Sequence, residues 1–412
     1  MANMQNIKKT LKGNTMILIL LAVMLFFQVL IVAADKGSLF APANITNLIN
    51  QNAWVVILAT GMLLCILTGG NIDLSVGSVI CLVGAVAGIL IVNMGWPVLP
   101  SILICLIVGA LIGAWHGFFI AYVHIPPFIC TLSGMLLWRG VALILLNGMT
   151  ISPFPESFTN IFNSYLPELF LAQPPEEMSG EAYDLLIEHN ESITFVVTMI
   201  VSLACCFATV VSSFLSRVSK QRKGYSVPSF GSFVGKQVVL CAAIMIVGTL
   251  LAKNKGLPVI LIILGVVVGI YSYYTKNTVP GRYLYAIGGN EKAARLSGVN
   301  TDNVMMFAYT NMGFIAGICG LVCAARLNSA APTVGQSYEM DAIASCFIGG
   351  ASAYGGTGSV GGAVVGAIFM GVLNNGMSIL GVDSNWQRAV KGLVLLLAVI
   401  FDVVSKKKKS GK

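Results

Sequence analysis

Charge is what this chain has least of. Only 10% of its 412 residues are Asp, Glu, Lys or Arg, where a soluble domain carries about a quarter. With 57% of residues hydrophobic, a water-exposed fold this apolar would precipitate, so the excess must face lipid. Histidine is nearly as scarce. His116, His124 and His189 are the three in the chain, and none has a Cys, Ser or carboxylate at a spacing suited to catalysis. The ten cysteines all fall inside apolar runs, with no Cys-x-x-Cys or Cys/His pattern. That excludes a readable disulfide framework or zinc site; each reads as a small apolar side chain. No catalytic residue, metal site or cofactor site is assigned, and the chain is not expected to be an enzyme.

Two glycine motifs could be mistaken for nucleotide loops. Gly356-Thr357-Gly358-Ser359-Val360-Gly361 has GxGxxG spacing but no βαβ unit around it. Gly231 to Lys236 is one residue short of a phosphate-cradling loop, and Gln237 stands where a Ser or Thr would hold magnesium. The chain itself is not expected to hydrolyse ATP.

What is abundant is apolar sequence in lengths near the 20 residues of a bilayer crossing. Twelve segments qualify: Met16–Ala34, Ala53–Thr68, Val76–Val92, Ile102–Tyr122, Phe128–Leu146, Ile193–Phe214, Val234–Ala252, Val259–Tyr274, Val304–Cys323, Ala342–Tyr354, Ala363–Leu380 and Ala389–Val404. The expected fold is an all-α polytopic membrane protein of about twelve transmembrane helices, some discontinuous, with both termini on one side. Met16–Ala34 is too long for a signal-peptide core and reads as an uncleaved first span.

Orientation follows from the basic residues. Sixteen Lys and Arg, from Lys8 to Lys412, fall in connections on the side of the termini. Six fall opposite: Lys36, Lys253, Lys255, Arg326, Arg388 and Lys391. The positive-inside rule places both termini in the cytoplasm. The net charge of +8 is thus accounted for by orientation. Nucleic acid would want a clustered basic face, so none is expected as a partner. The Lys406–Lys409 run reads as an orientation and lipid-headgroup signal.

Inside the spans, Arg139 is the one clear ionisable candidate, placed to snorkel or to cap. Proton-coupled carriers usually keep several such groups. If the chain is a pump, its energy therefore comes from another polypeptide. The stretch Thr150–Glu191 holds eight acids and no Lys or Arg; it reads as an outer acidic connector or a docking surface, with Ala182–Ile187 amphipathic and helical.

One internal echo stands out. Thr68-Gly69-Gly70 precedes Gly77-Ser78-Val79, and Ile348-Gly349-Gly350 precedes Gly358-Ser359-Val360. Paired glycine-interrupted segments point to a transporter's working core, or simply to close-packed helices. Asp73, with Asn71 and Ser75 beside it, either caps the following helix or lines a polar pathway.

Between two apolar spans lies the polar segment Pro280 to Gly298. Its second half reads as a small helix: Asn290 can accept from free backbone N–H groups, Glu291 suits the positive end, and Gly298 can stop it with positive φ. Glu291 and Arg295 are four apart and expected to pair weakly. Two turns of helix are not stable alone in water. The helix therefore needs something to dock on, and a second subunit fits.

These segments together resemble the permease subunits of bacterial monosaccharide ABC importers, the ribose, galactose and xylose group, and most of all the xylose-type members. The resemblance is carried by Gly70 to Ser78, Ile125-Pro126-Pro127-Phe128-Ile129, Arg139-Gly140, Gly281–Gly298, Asp341 to Ala344 and Leu373-Asn374-Asn375-Gly376. It implies one permease domain over 1–412, a ten-helix core with an extra hairpin at about 226–276. Gly289, Asn290, Glu291, Lys292, Ala293, Ala294, Arg295, Leu296, Ser297 and Gly298 would form the ATPase-coupling segment. Asn71, Asp73, Ser75, Asn374 and Asn375 would line the pathway. The implied partners are an ABC ATPase subunit, a periplasmic or lipid-anchored sugar-binding protein, a second copy of the chain, and membrane lipid. A standalone sugar channel or ion-coupled carrier is the competing expectation.

Overall fold

The computed structural model describes residues 15–171, 181–227 and 229–410. Lys8, Lys9, Lys12, Glu176, Glu177 and Lys412 lie outside them, as do the side chains of Glu181, Ala182 and Lys406–Lys409. The helices are α1 Thr15–Ala33, α2 Pro42–Leu67, α3 Val76–Ala87, α4 Val98–Ala121, α5 Pro127–Leu146, α6 Glu156–Asn163, α7 Glu181–Arg222 and α8 Phe230–Ala252. They continue as α9 Val259–Asn277, α10 Val279–Gly289, α11 Glu291–Leu296, α12 Thr301–Leu327, α13 Tyr338–Ile348, α14 Val360–Ile379 and α15 Ser384–Ser410. Among the described residues the only β structure is two isolated bridges.

Ten helices among the described residues are long and apolar enough to cross a membrane. The two remaining expected spans are α13 and α15. At 11 residues, α13 reaches only about 16 Å, half a bilayer, and is the discontinuous helix the sequence calls for. The 27-residue α15 has the length, but Lys391, Asp402 and its basic end dilute its apolar character. A second irregularity is in α3, which runs on past Ala87 as a π-helical turn, Gly88–Asn93.

The chain divides into two compact units. The first comprises the described parts of Met1–Gly37, Leu48–Asn163 and Ile262–Lys412. Its core is built where small residues let helices touch. A Cβ on Gly113 of α4 would lie 2.3 Å from Tyr309 O, and one on Gly313 of α12 would lie 2.3 Å from Gly109 O, so the two backbones meet directly in the manner of small-residue helix pairs. Lipid-facing helices take the perimeter: only 11% of the α1 span is buried, and Leu25 and Phe26 stand out from it.

Contacts within this unit also sort its ends. Met16 Cε lies 3.8 Å from where a Cβ on Gly350 would be, and Ala353 N donates to Asp402 of α15 at 3.2 Å. The start of α1, the 349–358 loop and the end of α15 therefore share one end. At the other end of α1, Lys36 Nζ donates to Leu380 O at 2.8 Å.

The second unit, Ser38–Asn47 with the described parts of Ser164–Leu261, is a helical pair. Its α7 is 42 residues long, about 63 Å, roughly twice a hydrocarbon core of about 30 Å. The expected amphipathic segment 182–187 is its first turns, so α7 projects well beyond the lipid. Ser202 of α7 fits against Gly248 of α8. Leu166 N donates to Leu257 O at 2.8 Å and Val259 N to Ser164 O at 2.9 Å, closing the turn between α8 and α9.

Candidate functional site

The short helix α11 has the ends marked in the sequence. Asn290 Oδ1 accepts from Ala293 N at 3.0 Å, Glu291 occupies the first turn, and Gly298 sits at φ +86°. Gly298 N then donates to Arg295 O and Val299 N to Ala294 O, closing the last turn. An unexpected companion precedes it. Val279–Gly289 is itself a helix, capped by Thr278 Oγ1, which accepts from Gly281 N at 3.0 Å. Thr278 followed by Pro280 is a helix start legible in the sequence.

A six-residue helix needs external support. Ala294 supplies part of it, buried with Ile287 of α10 and Val299, while Tyr283 and Val304 pack around them. The expected Glu291–Arg295 pair does not form. Arg295 Nη2 donates instead to Thr301 Oγ1 at 2.8 Å and pairs with the Asp302 carboxylate. The turn at Gly298 folds the start of α12 back beneath Arg295 and brings Thr301 and Asp302 to its guanidinium. Outward, the helix is bare: Glu291, Lys292 and Ala293 are exposed, and Leu296 is 90% exposed.

Beneath the helix pair, the two echoing glycine stretches meet. A Cβ on Gly70 would lie 1.9 Å from Ala353 O. Gly356 N donates to Leu67 O at 3.1 Å, and Gly355 lies against Gly69. Helix α10 rests on this crossing through Gly288, whose Cβ, if present, would lie 1.9 Å from Leu67 O and 2.3 Å from Gly356 N. Tyr285 Oη adds a bond to Gly358 O at 3.2 Å. Three segments far apart in sequence thus touch by bare backbone, with α11 attached directly above.

The candidate pathway residues fall into two groups, one at the turn into α3 and one on α14. Asp73, 1% exposed, accepts from Ser75 N at 2.8 Å and Ser75 Oγ at 2.6 Å, fixing the turn into α3. Asn71 Nδ2 lies 3.3 Å from Thr68 Oγ1. In the second group, Asn374 Nδ2 reaches Asp341 Oδ2 at 3.4 Å, Lys391 Nζ reaches the same oxygen at 2.9 Å, and Asn375 is buried nearby on α14.

The Asp341–Lys391 pair corrects two expectations. Lys391 is not an outer-connection cation, and Arg139 is not alone among buried charges. Both acid and base sit at the edge of an apolar run, where sequence reads them as flanks. Asp341 is 2% and Lys391 20% exposed at the side chain, so removing one partner strands the other. Lys391→Met is expected to cost about 3–5 kcal/mol, and the double variant with Asp341→Asn appreciably less. Thermal unfolding of the purified detergent-solubilised protein checks this; equal losses in both variants would deny the pair its role. Arg139 caps: its Nη1 donates to Val334 O at 2.7 Å and Pro332 O at 3.2 Å, satisfying carbonyls of the loop before α13.

A family profile described as "Branched-chain amino acid transport system / permease component" matches residues 44–201 and 182–399. The chain belongs to this family. The permease is 37% identical over 395 residues to the xylose transport system permease protein XylH of Escherichia coli K12, covering 95% of this chain and 92% of that one. It is 35% identical over 393 residues to the Haemophilus influenzae XylH, covering 95% and 96%. The ribose import permease protein RbsC of Escherichia coli K12 is 34% identical over 378 residues, covering 92% and 91%. No solved structure matches the permease. Membership and the apolar helices make it a multi-pass membrane protein.

Proposed function

We propose that this permease is the membrane subunit of a binding-protein-dependent ABC importer that moves a monosaccharide into the cytoplasm. Near full-length similarity to a xylose permease and a ribose permease supports a pentose or a related hexose. The end of the first unit that carries α11 faces the cytoplasm. With Lys391 withdrawn from the outer connections, five basic residues remain there against sixteen on the other side.

One observation carries the coupling assignment. Helix α11 is tied down by Ala294 and Arg295, seated over a backbone crossing, and otherwise bare, with Leu296 turned outward. Gly289–Gly298 is therefore assigned as the contact with an ABC ATPase subunit, whose closure would push α10 against the crossing at Gly288. A periplasmic or lipid-anchored sugar receptor delivers the cargo, and a second copy of the permease completes the complex. The inserted hairpin at about 226–276 and the acidic stretch 150–191 belong to the same permease domain.

Reconstitution into liposomes tests the reading. With its ATPase and receptor, the permease is expected to take up labelled xylose or ribose only when ATP is supplied, and alone to take up neither. Uptake by the permease alone would establish a channel or carrier instead.

A further inference from the structure

The half-helix α13 and the C-terminal helix α15 carry two sets of opposite charge, treated differently. Asp341 and Lys391 close on each other. Glu339 and Arg388, one turn or less away on the same two helices, do not pair. Both line a cavity of about 280 Å³ together with Ser78, Arg139, Gln336 and Ser337, and with Met135 and Leu136 as its apolar wall. That volume is close to the lower end of ligand pockets, about 300–1,000 Å³, and suits one sugar ring.

Some of these polar groups are already engaged. Arg139 is held by the Pro332 and Val334 carbonyls, and Ser78 Oγ donates to Met135 O at 2.7 Å. Gln336, Ser337 and Arg388 make no side-chain hydrogen bond among the described residues. They and Glu339 offer an acceptor-only carboxylate, a donor-only guanidinium, and an amide and a hydroxyl that do both. An inorganic cation would want several carboxylates and finds one. A hydroxyl group, which donates and accepts at once, matches the whole set.

The backbone is also shaped for this place. Ser337 sits at φ +64°, a left-handed conformation uncommon for a non-glycine residue. Two residues earlier, Gly335 is pressed against Gly77, where a Cβ on either would lie 2.0 Å from the other's carbonyl oxygen. The result directs residues 336–339 to one cavity wall.

Resting on the importer reading above, we infer that this cavity is a binding subsite for the hydroxyl groups of the transported sugar, with Glu339, Arg388 and Gln336 as its specificity-determining contacts. The residues Asn71, Asp73 and Ser75 then shape the inner turn and do not touch the cargo.

The test uses the full complex of permease, ATPase and receptor in liposomes, with labelled xylose and ribose and their deoxy analogues as probes. Glu339→Gln, Arg388→Gln and Gln336→Leu are each expected to lower the maximal uptake rate about tenfold or more, and to erode discrimination against at least one deoxy analogue. Receptor-stimulated ATP hydrolysis and thermal stability of the permease stay as in the wild type. Gln336 is exposed, so its variant keeps the test valid if the other two fail to fold. Wild-type uptake and discrimination in the three variants, or in Gln336→Leu where the others do not fold, would overturn the subsite while leaving the importer reading intact. A wild-type complex that takes up neither sugar with ATP would overturn the importer reading and the subsite with it.

Discussion

Leu296→Asp is expected to reduce ATP-driven sugar uptake about a hundredfold or more while the permease folds normally. The side chain is 90% exposed, and substitutions at such positions usually change stability by within about 0.5 kcal/mol. The loss is therefore expected only in complex with the ATPase. An apolar anchor buried at an interface is worth about 2–4 kcal/mol, and a buried unpaired carboxylate adds to the penalty. At about 1.4 kcal/mol per decade, that weakens association roughly 30- to 1,000-fold. Co-purification of the ATPase with the permease, and uptake in reconstituted liposomes, measure it. Full co-purification with normal uptake would remove α11 from the ATPase contact. Leu296 is a cleaner probe than Arg295, whose ties to Thr301 and Asp302 make its loss a local structural change as well.

Gly288→Ala is expected to destabilise the permease and stop transport, against the ordinary preference of a helix. Alanine normally gains about 1 kcal/mol over glycine inside a helix. Here the added methyl would stand 1.9 Å from Leu67 O and 2.3 Å from Gly356 N. Relief requires separating backbones by more than 1 Å (an ordinary carbon–oxygen contact is well beyond 3 Å), and both neighbours are backbone without a rotamer to turn aside. Overpacking of this kind costs about 1–3 kcal/mol and occasionally more. The clash wins. Gly289→Ala is the matched control, since a Cβ there meets nothing within 4 Å, and it is expected to be neutral or slightly stabilising. Thermal unfolding in detergent and liposome uptake of the two variants make the comparison. If Gly288→Ala matches Gly289→Ala in both, the backbone crossing carries no mechanical role.

Much of this architecture was legible because membrane helices advertise themselves in one dimension. Length and hydropathy found the spans, and α11 was found by its ends, Asn290 and Gly298, because capping chemistry is local. Long-range pairings were not legible. The echo of Gly69-Gly70 and Gly349-Gly350 was visible, but nothing in either stretch says that Ala353 lies on Gly70 or that Gly288 lies on both. Arg295 was assigned to Glu291 by helical spacing, whereas a chain reversal supplied Asp302. Lys391 read as a flank because sequence alone does not distinguish a cation at the end of a span from one turned inward at the same position. The length of α7 was hidden for another reason: its first turns are acidic and polar, so hydropathy ends the span where the helix goes on.

The crossing of Leu67, Gly70, Ala353, Gly356 and Gly288 has a consequence for timing. Most helix contacts are cushioned by side chains that swing between rotamers, and a small displacement is absorbed before the far partner stirs. Peptide resting on peptide has no such backlash. A nudge delivered to α10 reaches the ends of α2 and the 349–358 loop with almost no lost travel, so the inner rim of the permease should start to open or shut within the same stroke that closes the engine below it.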